Sequence, residues 1–554
     1  MIDPENGGLR RSWPAFAMAV VILTGSLAVW LFGEHSSANL CRATLAIGGA
    51  GLVAWWATRR PVAAFGVLFV LSALSRWTIE LPIGNMRLEQ PAIALGLLAL
   101  LYARRLPDRA TLRRLLPIAI AFMVYLGALT ASSLLHSPDR VDSLRMVFWT
   151  GLSMAGGLLA FLLLFGQDPE RGARWLRFTA GGHASLGILI AVVFFTLGPV
   201  VVSGTDQVPG MSGKIFALSW EANLFASLLA ALALLVIEGF RSRPRPASAA
   251  LVVVVLVGLV TAETRGAYLG LAAGLIAYGC VMVYRRHRPR TLLMPAAAVV
   301  GALVLGAWLM PVLMQPRYQA PSHPVDLTTP GWGRRFAIGS NLLPGLPDVF
   351  GPWESVAKAS PSPAPASVPA PASVPAPASV PAPGPSLNPA TPTAPPTPSP
   401  TPAPTPAPPP APAPIDDTLT FRLDRVPVAL KDLTRDPIIG LGANSFGQRH
   451  TDPSQLNNQP DHIAILAVAA LYESGVVGTA GLAIGFALTL LALWRASRGS
   501  TTGPMAAAYI GSLVSLLVAY EATNAINFSL IWLIAGAGLA MALRPPVRED
   551  AAPG

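Results

Sequence analysis

Residues Ala250–Tyr284 read ALVVVVLVGLVTAETRGAYLGLAAGLIAYGCVMVY. Two apolar runs, 247–264 and 266–284, meet at one short polar patch. A helix that crosses a bilayer needs about 20 apolar residues, and each run is close to that length. With almost no chain between them, the two must run antiparallel as a hairpin. Their far ends carry arginines, with Arg241, Arg243 and Arg245 before the pair and Arg285, Arg286, Arg288 and Arg290 after it. Such clusters mark the cytoplasmic side of a membrane. The patch holding Glu263 and Arg265 therefore faces outside.

The same pattern repeats along the chain. Of 554 residues, 53% are hydrophobic and only 12% charged, against about 25% charged in a soluble domain. The fold class expected is an all-α polytopic membrane protein with twelve to fourteen transmembrane helices. The candidate spans are 14–32, 40–57, 61–79, 88–103, 115–135, 146–166, 178–202, 223–240, 247–264, 266–284, 291–314, 476–494, 504–521 and 528–543. The third and fourth are short or interrupted by polar residues. With the N-terminus inside, pairs such as Arg10–Arg11, Arg59–Arg60, Arg104–Arg105 and Arg113–Arg114 all fall inside. This places both termini in the cytoplasm and the protein in the cytoplasmic (inner) membrane. The net charge of +11 then reflects topology, and nucleic acid is not an expected partner. The run at 14–32 lacks a cleavage pattern and reads as a retained helix. Cys41 and Cys280 fall toward opposite membrane faces, which excludes a mutual disulfide.

Three regions follow: residues 1–314 with about eleven spans, an extracytoplasmic loop at 315–461, and residues 462–554. The last is read as an outer-surface helix followed by about three spans. Within the loop the hexad PAPASV repeats three times from Pro363 to Val380, and no charge occurs between Lys358 and Asp416. Such a tract cannot bury a core, so 360–414 reads as a disordered, polyproline-like spacer.

Ionisable residues collect near the outer ends of the spans: Glu221, Glu263, Arg265, Glu473 and Glu521. Charges there are usually paired or functional. The Arg265 guanidinium suits phosphate oxygens, or else snorkels to lipid headgroups beside Glu263. Lys214, Arg140, Arg145, Arg422 and Arg425 are further outside cations, for an anionic ligand or plainly solvated. Trp220 and Tyr472 read as ring-stacking platforms or as interfacial anchors. On a helix starting at Asp461, His462 shares a face with Leu466, Ala469 and Glu473. Glu473 lies about 16 Å further along the axis, too far to be its partner. From the residues alone, His462 is a working group or a boundary histidine. No Walker, GxSxG, HExxH or zinc-ligand pattern occurs, so neither cofactor nor metal is expected.

Four segments in order carry a resemblance. They are SWEANLFASLLAALALLVI (219–237), LVTAETRGAYLGLAAGLIAY (259–278), RDPIIGLGANSFG (435–447) and DHIAILAVAALYESGVVGTAGL (461–482). With the long loop between the second and fourth, residues 205–495 resemble the bacterial O-antigen ligase and polymerase superfamily. The resemblance implies a GT-C-like, metal-independent membrane glycosyltransferase. Such an enzyme moves a glycan from a polyprenyl-diphosphate donor to a glycan or lipid acceptor outside the cytoplasmic membrane. It implies that Arg265 binds the diphosphate and that His462 is the catalytic histidine, taking the proton of the acceptor hydroxyl. Glu221, Lys214, Arg422 and Arg425 join Arg265 as substrate-binding candidates. Ile463 stands where the family often has Asn. The other classes left open are a lipid-linked glycan flippase or transporter and a non-catalytic envelope anchor.

Overall fold

The computed structural model describes residues 37–75, 78–81, 84–197, 217, 219, 221–262, 264–285, 418–450, 463–499 and 502–544, with short pieces between 296 and 305. Its helices begin with α1 (Ser37–Arg59) and α2 (Pro61–Ala73). A hairpin of β1 (Thr78–Leu81) and β2 (Gly84–Arg87) follows, Thr78 facing Arg87. Next come α3 (Glu89–Tyr102), α4 (Arg109–His136), α5 (Arg140–Leu164), α6 (Pro169–Leu197), α7 (Ala222–Ser242), α8 (Pro246–Thr261) and α9 (Arg265–Tyr284). After the loop stand α10 (Thr418–Leu433), α11 (Ser445–His450), α12 (Leu466–Ala496), α13 (Gly503–Tyr520) and α14 (Ser529–Ala542). The chain forms two compact units, Met1–Trp353 with Arg422–Gly554, and Glu354–Phe421. Among the described residues, the second unit holds only the first turn of α10.

The chain is an all-α polytopic membrane protein. Among the described residues, α4, α5, α7, α9, α12 and α13 are long and apolar enough to cross a membrane, and α2, α3, α8 and α14 are shorter apolar helices. Large apolar side chains point outward in numbers a soluble protein avoids. Leu116, Ile120, Met123, Leu269 and Ile276 are all more than half exposed, and in a bilayer that surface meets lipid. The expected spans from 40–57 to 266–284, and those after the loop, fall on helices. The run at 14–32 lies outside the described residues, as do most of 291–314 and the spacer 360–414. The span expected at 61–79 is shorter than read. It stops at Ala73, because SRWTIE (75–80) brings charge and β-branched residues that suit the hairpin instead.

The core forms around α7, whose apolar residues run all round the helix and are almost all buried, as a central helix requires. It packs against α6, α8, α9 and α13. Small residues let these helices approach closely, as they do between membrane helices. A Cβ on Gly270 would lie 2.5 Å from the Ser515 carbonyl oxygen, and one on Gly274 2.7 Å from that of Gly511. This brings the start of α9, and with it Arg265, against the end of α13.

Helix α12 is broken. Gly475 has φ 63° and ψ −169°, a conformation essentially reserved for glycine. The break frees backbone groups that lipid cannot satisfy, and the segment 437–442 satisfies them. Leu441 and Gly442 N–H donate to the Tyr472 and Glu473 carbonyls at 2.8 and 3.0 Å. Val476 and Val477 N–H donate to the Pro437 and Ile438 carbonyls at 2.9 and 3.2 Å. The Gly-rich stretch PIIGLG is thus a backbone patch on a discontinuous helix. A helix of 466–474 leads into a second piece from Val476, the position read as the start of the span.

Candidate active site at a turn that gathers helix ends

The site is built on the turn EATNAINFS (521–529) between α13 and α14. Its residues hold different parts of the molecule. The Glu521 carboxylate accepts from the Ala467 N–H at 3.1 Å and so caps the start of α12. Capping of this kind satisfies a donor that the helix leaves free and favours a negative charge there. Ala522 packs on the first turn of α9; a Cβ on Gly266 would stand 2.5 Å from the Ala522 Cβ. The Thr523 hydroxyl donates to Glu221, which precedes α7. The starts of α7, α9, α12 and α14 therefore meet at one turn.

The turn continues into a second group. The Asn527 carbonyl accepts from Arg87 Nη1 at 2.9 Å and from the Ser153 hydroxyl at 2.8 Å. The Arg87 guanidinium lies over the Phe528 ring, 3.7 Å from its centre, within cation–π range. Burial pulls the Arg87 pKa below its ordinary value, opposed by the nearby Glu89 and Tyr520. The Ser529 hydroxyl donates to Glu89 Oε1 at 3.0 Å and stands 3.3 Å from the Ser153 hydroxyl. Glu89 is 1% exposed.

The expected site residues divide between those the turn gathers and those it does not. Arg265 is exposed at the first position of α9, next to the turn. Glu221 is half-buried and tied to Thr523. Arg425 is half-buried on α10. Arg422 belongs to the same helix. His462, Lys214, Trp220 and Glu263 lie outside the described residues.

The helix begins at Leu466, after non-helical residues 463–465, later than the start at Asp461 that was expected. Ala467 is held by Glu521. Tyr472 is buried at 1% exposure, its hydroxyl 3.2 Å from Asp432 Oδ2 and its ring against Phe446. It belongs to the packing under the loop and offers no face to a sugar.

Beside the turn, residues 432–450 make a second polar layer. His450 Nε2 stands 2.6 Å from Asp432 Oδ2. Burial pushes the Asp432 carboxyl up, but the hydrogen bond and charge of His450, then the Tyr472 hydroxyl, outweigh it and hold the pKa below its ordinary value. His136 Nδ1–H donates to the Gly440 carbonyl at 2.8 Å, and Nε2 stands 3.2 Å from Asp436 Oδ2. The Asn444 N–H donates to Glu473 Oε1 at 3.1 Å, giving the buried carboxyl of α12 a backbone partner. Among the described residues, no three His, Cys, Asp or Glu side chains come together to hold a metal ion.

Arg87 and Glu89 escaped the sequence reading. Their one signal is an Arg-x-Glu triplet opening an apolar run, in NMRLEQPAIALGL (85–97). No protein-family model and no curated protein matches the chain.

An apolar cleft lies between α4, α5 and α14, lined by Phe122, Leu126, Gly151, Met154, Trp532 and Gly536 among others. Gly151 and Met154 bracket in sequence Ser153, whose hydroxyl donates to the Asn527 carbonyl.

Proposed function

We propose that the protein is a metal-independent membrane glycosyltransferase of the O-antigen ligase and polymerase type. It takes a glycan from a polyprenyl-diphosphate donor and transfers it to a glycan or lipid acceptor at the outer face of the cytoplasmic membrane. On this reading the chain has twelve to fourteen spans in a GT-C-like arrangement, with both termini cytoplasmic. The observation that carries it is the turn 521–529, which gathers the N-terminal ends of α7, α9 and α12 beside the exposed Arg265. Helix N-termini present free N–H groups and positive dipole ends, a natural seat for phosphate. A guanidinium adds a full charge and a bidentate fork.

The chemistry needs little more. The acceptor hydroxyl oxygen bonds to the anomeric carbon as the bond from that carbon to the diphosphate oxygen breaks. The electron pair leaves on the lipid diphosphate, where Arg265 stabilises the developing charge. The hydroxyl proton passes to His462, whose neutral imidazole suits a base near pH 7. The donor is already activated, so no nucleotide is consumed. The apolar cleft between α4, α5 and α14 suits an isoprenoid chain hanging from that diphosphate.

The test is replacement of Arg265 and of His462 by Ala in cells, with surface glycan and polyprenyl-linked intermediates measured. Lost transfer, accumulated donor and normal membrane levels of the variant are expected. Unchanged transfer in both variants overturns the proposal. Deleting 360–414 is expected to leave transfer nearly intact, which the anchor reading does not allow.

A further inference from the structure

Five buried oxygen atoms around the same turn have no hydrogen-bond partner among the described residues: Glu89 Oε2, Thr264 Oγ1, Tyr520 OH, Asn524 Oδ1 and Asn527 Oδ1. They belong to segments that meet at the turn. Tyr520, Asn524 and Asn527 belong to the turn or the residue before it. Thr264 immediately precedes Arg265, and Glu89 is joined to the turn through Ser529. Glu89, Tyr520 and Thr264 are 1%, 0% and 4% exposed. Folded proteins seldom leave buried oxygens unpaired, and a local concentration of them calls for a missing partner.

The chemistry of the partner follows from what the atoms lack. Three are acceptors only, a carboxylate oxygen and two amide oxygens, and two are hydroxyls. The missing partner must supply several donors in a small volume. An ionised phosphate supplies none. Arg87 and Arg265 stand on either side of the turn, which disfavours a bare cation. A sugar ring carries hydroxyl and acylamino donors around its edge. We propose that Glu89, Asn524 and Asn527, with Tyr520 and Thr264, form a saccharide subsite for the donor sugar attached to the diphosphate. Arg87 fixes that subsite by holding the Asn527 backbone, its own guanidinium spread on Phe528. The subsite rests on the transferase reading and adds to it a carboxylate-and-amide sugar contact next to the phosphate seat.

The test uses the purified full-length chain in lipid nanodiscs. Binding of undecaprenyl diphosphate is compared with that of undecaprenyl diphosphate carrying one N-acetylhexosamine, by native mass spectrometry. The sugar is expected to tighten binding on the order of 10-fold in the wild type, the scale of a well-paired polar contact set. Glu89→Gln and Asn527→Leu are expected to remove that gain and leave affinity for the bare diphosphate unchanged, whereas Arg265→Ala weakens both lipids. Two variants guard against one misfolding, and retained binding of the bare lipid reports the fold of each. No gain from the sugar in the wild type, or a gain that survives both variants, means that the oxygens hold water only and overturns the subsite. That result leaves the Arg265 effect standing. Equal, weak binding of both lipids that Arg265→Ala does not change overturns the transferase reading as well.

Discussion

Two buried Arg–Glu groups lie at opposite ends of the helices, and they are built differently. Toward the arginine-rich end of α7, Glu238 is saturated. Arg241 Nε and Nη2 donate to its two oxygens at 2.7 and 2.8 Å, and the Tyr278 hydroxyl adds a third bond at 2.7 Å. At the other end Glu89 has one hydroxyl partner, and its second oxygen has none among the described residues. Arg87 is near enough to act on it electrostatically but gives its hydrogen bond to Asn527. A carboxylate with both oxygens engaged locks α7 to α9. A carboxylate left half open is poised for a ligand. The contrast separates a group that holds the fold from one that has capacity to spare.

The largest effect expected tests the closed group. Glu238→Ala strands the Arg241 guanidinium and the Tyr278 hydroxyl inside the protein. Removing one member of a buried pair costs about 3–5 kcal/mol, so the variant should unfold at markedly lower SDS fraction. If its unfolding midpoint matches the wild type, the lock is not a lock. Next in size is Arg265→Ala at the open end. On the proposed transferase function, loss of this donor to the developing charge lowers turnover about 10²–10³-fold, with little change in the unfolding midpoint because the side chain is exposed. A large stability loss with intact turnover would reverse the contrast.

Gly475→Ala probes what lies between the two ends. The φ and ψ of Gly475 are strained for any residue with a Cβ by about 1–3 kcal/mol, and the new atom would press on the Ile438 backbone. The backbone ladder from Pro437 to Gly442 should loosen, and protease should cut within 434–450 faster than in the wild type. Equal cutting rates would show that the break needs no glycine.

How far the sequence foretold all this depends on the physical signal each feature carries. Spans are written in twenty-residue apolar runs, so α7, α9 and α13 were readable within about two residues, whereas α4 and α5 each start six residues before the expected run because their first turns carry arginines. The hairpin after α2 was not, because four-residue strands leave no periodicity to count. Arg265 and Glu221 were readable because charge at the end of an apolar run is expensive and therefore conspicuous. Arg87 and Glu89 share that signal, but they sit in the stretch whose spans were hardest to delimit. The pairing of 437–442 with 472–477 was hidden for another reason: it runs through backbone groups, which every residue has. The gathering role of 521–529 was equally invisible, since it depends on which helix ends meet. Only Glu521, a charge closing an apolar run, hinted at it.

The second polar layer supplies a pH test. Asp432 has a folded pKa below its ordinary value, which for an unfolded aspartate is about 3.9. Its contribution is therefore complete above about pH 4 and is lost as pH falls through the folded value. The 432–450 layer should stay docked from about pH 5 to 8 and become protease-sensitive only in stronger acid. Asp432→Asn should show more cutting at neutral pH and a flatter response to acid. An acid profile that matches the wild type would remove Asp432 from the docking of α11.

The smallest effect expected is the sharpest. Glu89→Gln changes one oxygen to an amide and keeps the volume. The Ser529 hydroxyl can still donate to the remaining oxygen, and the altered atom had no partner to lose. Stability should therefore change by less than about 1 kcal/mol, whereas the same change at Glu238 exchanges a charge that Arg241 and Tyr278 both use and should cost several times more. Measured side by side in SDS titrations, the two Glu→Gln variants compare the open and closed groups with one chemical edit. Equal losses would mean that the fold depends on Glu89 no less than on Glu238, and that its free oxygen awaits nothing. A near-zero loss at Glu89 beside a large one at Glu238 leaves Glu89 buried for a reason other than the fold.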